Sequence, residues 1–272
     1  MELFIMIIMF MIGTVFGSFF TLAVYRIPRK ENIIYKHSYC PNCNHKLGFF
    51  DMIPILSFLM LKGKCRYCGK KIRIRYFCLE LLSGIVFLLL YLALNINLYH
   101  IELSKVAYFI SIILFISTIF LIAGIDKEKR SISKPVLVFG ILIQIAYVIY
   151  LYFSEQKNIN RYIILLILEI IFAIIENWVL KNKAKSAYPL EILEYCIYIN
   201  FIINEPLDFV ILIIATLISI AIYTIIYKLK KCNEETNILE EKNAEALMMP
   251  IGFLISISTI IIVIINTYLM NR

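Results

Sequence analysis

The sequence predicts an all-α membrane protein, a polytopic bundle of about eight transmembrane helices with a small cytosolic zinc-ribbon-like loop. Three observations predict it. Of 272 residues, 61% are hydrophobic, 17% are charged, and the mean hydropathy is +0.85. A soluble domain runs near 45–50% apolar and about 25% charged. Apolar runs of membrane-spanning length recur along the chain without period-2 alternation, which excludes a β-barrel. The basic residues collect in alternate loops.

The expected spans are 3–25, 78–96, 106–125, 135–153, 162–180, 188–203, 209–227 and 248–270, the sixth being the shortest. Segment 26–77 carries twelve of the 27 Lys and Arg residues, and the loops at 126–134, 181–187 and 228–247 bring the total on their side to 23. Cytoplasmic loops collect Lys and Arg, so these loops are expected in the cytosol and both termini outside. The net charge of +8 then reflects membrane sidedness and implies no nucleic-acid partner. The first apolar stretch follows Glu2 and runs to Tyr25 without a small-residue cleavage site, so it is expected to be a span and not a removable leader. The expected organisation is a first helix at 1–25, a cytosolic loop at 26–77 and a membrane core at 78–272. Within the first helix, Gly13-x₃-Gly17 permits close helix packing.

The loop at 26–77 is about 50 residues long, too short for a comfortable core without a staple. Cys40-Pro-Asn-Cys43 and Cys65-Arg-Tyr-Cys68 supply one. Each CxxC pair can form a knuckle whose sulfurs face one point, and two knuckles make a tetrahedral S₄ site suited to Zn²⁺. Asn44 and Gly69 follow the second cysteine of each pair, where the backbone must turn tightly. A closed Cys₄ site has no open coordination position, so the role is structural. Cys78 and Cys196 lie in apolar runs and are expected to pack.

Several stretches together resemble the prepilin peptidases, polytopic aspartyl proteases that process type IV pilin-like precursors. Gly17-Ser18-Phe19-Phe20-Thr21 leading to Tyr25-Arg26-Ile27-Pro28 is similar to the family's GSFLN…YRLP signature, with Thr21 for Asn. The cysteine loop, with Asp51-Met52-Ile53-Pro54 between its pairs, continues the likeness to Glu80. Asp126 followed by Ile132 resembles the first catalytic-aspartate motif, with Ser133 in place of proline, and Pro250-Ile251-Gly252-Phe253 resembles a segment of the last helix. The family's second motif, GxGD, is absent. Aligning it on Tyr188–Glu191 puts Glu191 where the second aspartate would stand, with Glu194 as a second option.

The resemblance implies a membrane-embedded endopeptidase in a bacterial cytoplasmic membrane. Its partners would be pilin-like precursors and the lipid bilayer, and its dyad Asp126 and Glu191. It also implies that S-adenosylmethionine can serve as a methyl donor, as in many members. The alternative is a non-catalytic homologue that binds precursors or a secretion partner. A transporter is disfavoured by the absence of inverted halves. Glu169 and Glu176 lie seven residues apart on one face of the fifth span. An acid at that depth is expected to face the bundle interior.

Overall fold

The computed structural model describes residues 2–33, 35, 37–96, 102–129, 131–154, 159–181, 188–202, 210–218, 221 and 250–270. These residues are helical apart from turns, two short 3₁₀ segments and two isolated β-bridges. The α-helices are α1 (Glu2–Arg26), α2 (Leu56–Met60), α3 (Ile74–Leu94), α4 (Leu103–Lys129), α5 (Lys134–Phe153), α6 (Ile159–Lys181), α7 (Tyr188–Asn200), α8 (210–218) and α9 (Ile251–Met270).

Five stretches among the described residues are long and apolar enough to cross a bilayer: Glu2–Arg29, Ile74–Leu94, Leu103–Lys129, Lys134–Phe153 and Ile251–Leu269. They coincide with five of the eight expected spans. The sixth expected span is the 13-residue α7, about 20 Å long and short of a hydrocarbon core of about 30 Å. Most of the seventh, at 209–227, lies outside the described residues, as does the loop at 228–247.

The chain divides into two compact units, Met1–Ile113 with Ile264–Arg272, and Leu114–Val263. In the first, α1 and α3 pack through small residues. A Cβ built on Gly13 would lie 2.6 Å from the Ser83 carbonyl oxygen, and one on Gly17 would lie 2.7 Å from the Glu80 Cα. Both obstacles are backbone, so the glycines let the helices touch. Ser83 adds a buried hydrogen bond, its Oγ donating to the Gly13 carbonyl at 2.7 Å. Gly17→Ala is expected to destabilise this pair by about 1–3 kcal/mol through overpacking, read as a lower thermal midpoint in detergent.

The chain leaves α1 through Arg26, which is only 3% exposed. Its guanidinium donates to the carbonyls of Asn32 at 3.0 Å and His37 at 2.9 Å. On the other side of the loop, Phe58 of α2 stacks on Phe77 of α3 at 5.2 Å.

In the second unit the interior is partly polar. Gln144, Glu169, Glu194, Tyr195, Tyr198 and Ser256 are all buried. The Tyr198 ring stacks on Phe115 at 4.5 Å and occupies the space that a Cβ on Gly140 would need.

Candidate functional site

The cysteine loop is two copies of one turn. Cys40 N–H donates to the His45 carbonyl, and Asn44 N–H to the Cys40 carbonyl. Cys65 N–H donates to the Lys70 carbonyl, and Gly69 N–H to the Cys65 carbonyl. Asn44 (φ 56°) and Gly69 (φ 69°) take the left-handed conformation that closes each turn, a conformation Gly and Asn adopt at low cost. A β-bridge flanks each knuckle, Tyr39 to Lys46 and Lys64 to Lys71.

The four Sγ atoms all lie within 4.8 Å of one another, and Cys40 and Cys68 are 3.9 Å apart. Four sulfurs at 2.3 Å from a tetrahedral ion sit about 3.8 Å apart, so this cluster fits one metal ion. Cys40 and Cys65 are buried, while Cys43 and Cys68 face outward. Burial works against the Cys40 thiolate, but the amides of Asn42 and Cys43 and the neighbouring thiols outweigh it and bring its pKa down to about 7. The His45 amide favours the Cys43 thiolate, yet desolvation and the adjoining sulfurs push that thiol up to about 11.

Asp51 ties the segment between the knuckles to the second knuckle. It takes Arg66 Nε on Oδ1 at 2.7 Å, and Tyr67 Oη at 3.0 Å and the Gly48 amide at 3.2 Å on Oδ2. Its burial would raise its pKa, but these three donors, Arg66 first, hold it below the ordinary carboxylate value.

The acidic site lies in the second unit. Asp126 is wholly buried near the Lys127–Lys129 end of α4. Its Oδ2 accepts the backbone N–H of Phe253 at 2.9 Å, in the first turn of α9. An amide of a helix's first turn has no intrahelical acceptor, so a carboxylate there satisfies it and meets the positive end of the helix dipole. Gly252 makes the approach possible, since a Cβ on it would lie 3.2 Å from the Asp126 Cγ. Behind this turn, the hydroxyls of Tyr195 and Ser256 share a hydrogen bond of 2.6 Å, and Ser256 Oγ donates to the Gly252 carbonyl at 2.6 Å. Side chains and backbone of α4, α7 and α9 thus converge on Asp126.

Glu191 lies in the first turn of α7, where its Oε2 accepts the backbone N–H of Ile132 at 3.0 Å. Ile132 sits in the turn between α4 and α5, six residues after Asp126. Glu194, three residues further along α7, is buried. Glu169 is buried on α6 beside Gln144 of α5. The side chain of Glu176 lies outside those described.

Residues 11–94 match the family model of the bacterial peptidase A24 N-terminal domain. The chain is 40% identical over 81 residues to the prepilin leader peptidase/N-methyltransferase of Myxococcus xanthus, covering 30% of this chain and 24% of that protein. It is 38% identical over 89 residues to the protein of that name from Vibrio cholerae, covering 30% and 35%. With the Bacillus subtilis protein of that name it shares 37% identity over 132 residues, covering 48% and 50%. Residues 11–94 thus carry an A24 N-terminal domain, the part of the chain most like the prepilin leader peptidase/N-methyltransferases.

The chain spans between about a quarter and a half of the length of these relatives. No solved structure matches it. The A24 domain covers α1, the cysteine loop and α3, the stretch where the sequence signature is most continuous. Asp126 and Glu191 lie beyond it.

Sequence reasoning missed Tyr195 and Ser256. The one signal was a serine four residues after Gly252, at the spacing of one helical turn. Gly252→Ala is expected to displace the Asp126 carboxyl by a few tenths of an ångström. If Asp126 is catalytic, geometry of that kind is sensitive to such shifts, and any peptidase activity should fall about tenfold or more with little loss of thermal stability.

Proposed function

We propose that this chain is a membrane-embedded aspartyl endopeptidase that removes the leader from type IV pilin-like precursors at the cytoplasmic face of a bacterial membrane. The observation that carries the reading is Asp126, fully buried and oriented by the α9 amide, in a chain with an A24 N-terminal domain. The full architecture would be eight spans, comprising a first helix, a cytosolic loop at 26–77 and a membrane core at 78–272.

In this reading Asp126 and Glu191 form the dyad. Two nearby carboxylates cannot both ionise cheaply, so one holds a proton and the other acts as base. The base takes a proton from water as the water oxygen attacks the scissile carbonyl. The acid hydrogen-bonds that carbonyl, and the leaving amine is protonated as the C–N bond breaks. The backbone amides on Asp126 and Glu191 fix the orientation of each carboxyl. The role of Cys40, Cys43, Cys65 and Cys68 is to hold a structural Zn²⁺, which supplies a fixed cross-link between the knuckles. The relatives' names include N-methyltransferase. The same second step here would methylate the new amino terminus with S-adenosylmethionine.

Cleavage of a pilin-like precursor by the reconstituted full chain tests the reading. Wild type, Glu191→Gln and Glu194→Gln are compared. Loss of activity in Glu191→Gln alone supports the dyad, and loss in Glu194→Gln alone moves the second carboxylate to Glu194. A wild type that binds precursor without cutting it points to the non-catalytic homologue. That second reading is favoured by the missing GxGD.

A further inference from the structure

The short helix α2 sits lower than a cytosolic loop should. The backbone N–H of Ile55 donates to Glu80 Oε2 at 2.8 Å, and Ser18 of α1 also bonds Glu80. Glu80 is six residues into α3 and Ser18 is eight residues before the end of α1. At 1.5 Å per residue these positions are about 9 and 12 Å inside the helix ends. Arg29 on one side, and Arg73 and Arg75 on the other, mark those ends, where basic residues meet lipid headgroups. The Glu80 side chain leans toward the N-terminal end of α3, so Ile55 is held about one to two helical turns inside those helix ends.

The backbone there is built to stay down. Ile55 has φ 62° and ψ −54°, and Leu56 N–H donates to the Pro54 carbonyl at 2.6 Å. This is a γ-turn centred on a β-branched residue, a strained arrangement. It is held from one side by Glu80 and from the other by Phe58 stacked on Phe77. With Phe58 turned inward, α2 points Leu56 (56% exposed), Leu59 (56%) and Met60 (80%) away from the protein. Directly after α2 come exposed Lys62 and Lys64. An apolar tip below a basic rim fits one environment, the boundary between the acyl chains and anionic headgroups of a bilayer.

We propose that the turn at Pro54–Met60 is a lipid-immersed anchor. It inserts Leu56, Leu59 and Met60 into the cytoplasmic leaflet while Lys62 and Lys64 rest on anionic headgroups. The metal-binding knuckles thereby have a fixed height over the membrane. The inference uses only that α1 and α3 cross the bilayer, so it stands or falls apart from the proteolytic reading.

The test places a tryptophan at Met60 or Leu59 in a full chain whose own tryptophan is removed (Trp178→Phe), with Lys70→Trp on the second knuckle as the aqueous control. The proteins are reconstituted, without precursor, in phosphatidylcholine vesicles containing phosphatidylglycerol. Brominated acyl chains should quench Met60→Trp and Leu59→Trp about twofold, matching an immersion of about 5–10 Å, while aqueous iodide quenches only Lys70→Trp. Retained zinc and an unchanged thermal midpoint identify the variants that fold. Iodide quenching of folded Met60→Trp and Leu59→Trp, with no effect of bromine, overturns the proposal. Protection of both positions only after a pilin-like precursor is added also overturns it, and assigns the tip to substrate.

Discussion

If Asp126 belongs to the proposed dyad, replacing it by Asn is expected to reduce cleavage by about 10²–10⁴-fold, the contribution typical of a positioned proton-transfer group. Asn is the sharpest substitution because it preserves shape. Its carbonyl oxygen can still accept the Phe253 amide that Asp126 Oδ2 accepts at 2.9 Å, so the first turn of α9 keeps its cap. The volume pressed against Gly252 is unchanged. What disappears is the capacity to exchange a proton with water or the leaving amine. The thermal midpoint should therefore shift little while initial rates collapse, as followed by the mobility change of the precursor. An Asp126→Asn variant that still cuts at more than a small fraction of the wild-type rate would remove Asp126 from the chemistry.

If the four cysteines hold zinc as proposed, its loss is expected to unfold the cysteine loop and leave the α1–α3 pair standing. In the loop, burial is concentrated at Cys40 and Cys65, and a segment of this size has little other core. Structural zinc contributes about 10–16 kcal/mol in small metal-binding peptides, and that binding energy is folding energy. Cys65→Ser removes a buried ligand and, like chelation, should bring zinc content from about one per chain to near zero. Limited proteolysis should then cut between residues 30 and 73. The helix pair should persist because Gly13, Gly17 and Ser83 hold it without the metal. A loop that resists protease equally with and without zinc would show that the Asp51–Arg66–Tyr67 cross-link suffices by itself.

What could be read from the sequence was what is local. The knuckles depend on cysteine spacing and on Asn44 and Gly69, all within a few residues, and the structure builds both turns as that spacing requires. The close packing at Gly13 and Gly17 follows from the absence of side chains. The features that escaped depend on partners far along the chain. Hydropathy marks residues 188–203 as apolar, but it does not reveal that Glu194, Tyr195 and Tyr198 of α7 are buried in the protein or that Tyr195 pairs with Ser256. The Glu191–Ile132 bond crosses 59 positions, and the Tyr195–Ser256 bond crosses 61. The γ-turn at Ile55 is invisible for the same reason, because its strain is held by Glu80, 25 residues later.

Arg26 has a mechanical consequence. Two hydrogen bonds of its guanidinium join the last residue of the first helix to carbonyls six and eleven positions downstream, so rotation of that helix is transmitted to the strap leading into the first knuckle. One residue added just before Arg26 would turn its side chain by about 100° and carry the guanidinium off both acceptors. The junction works as an indexing pin: it fixes the rotational register of the helix end, which an insertion or deletion just before Arg26 would break.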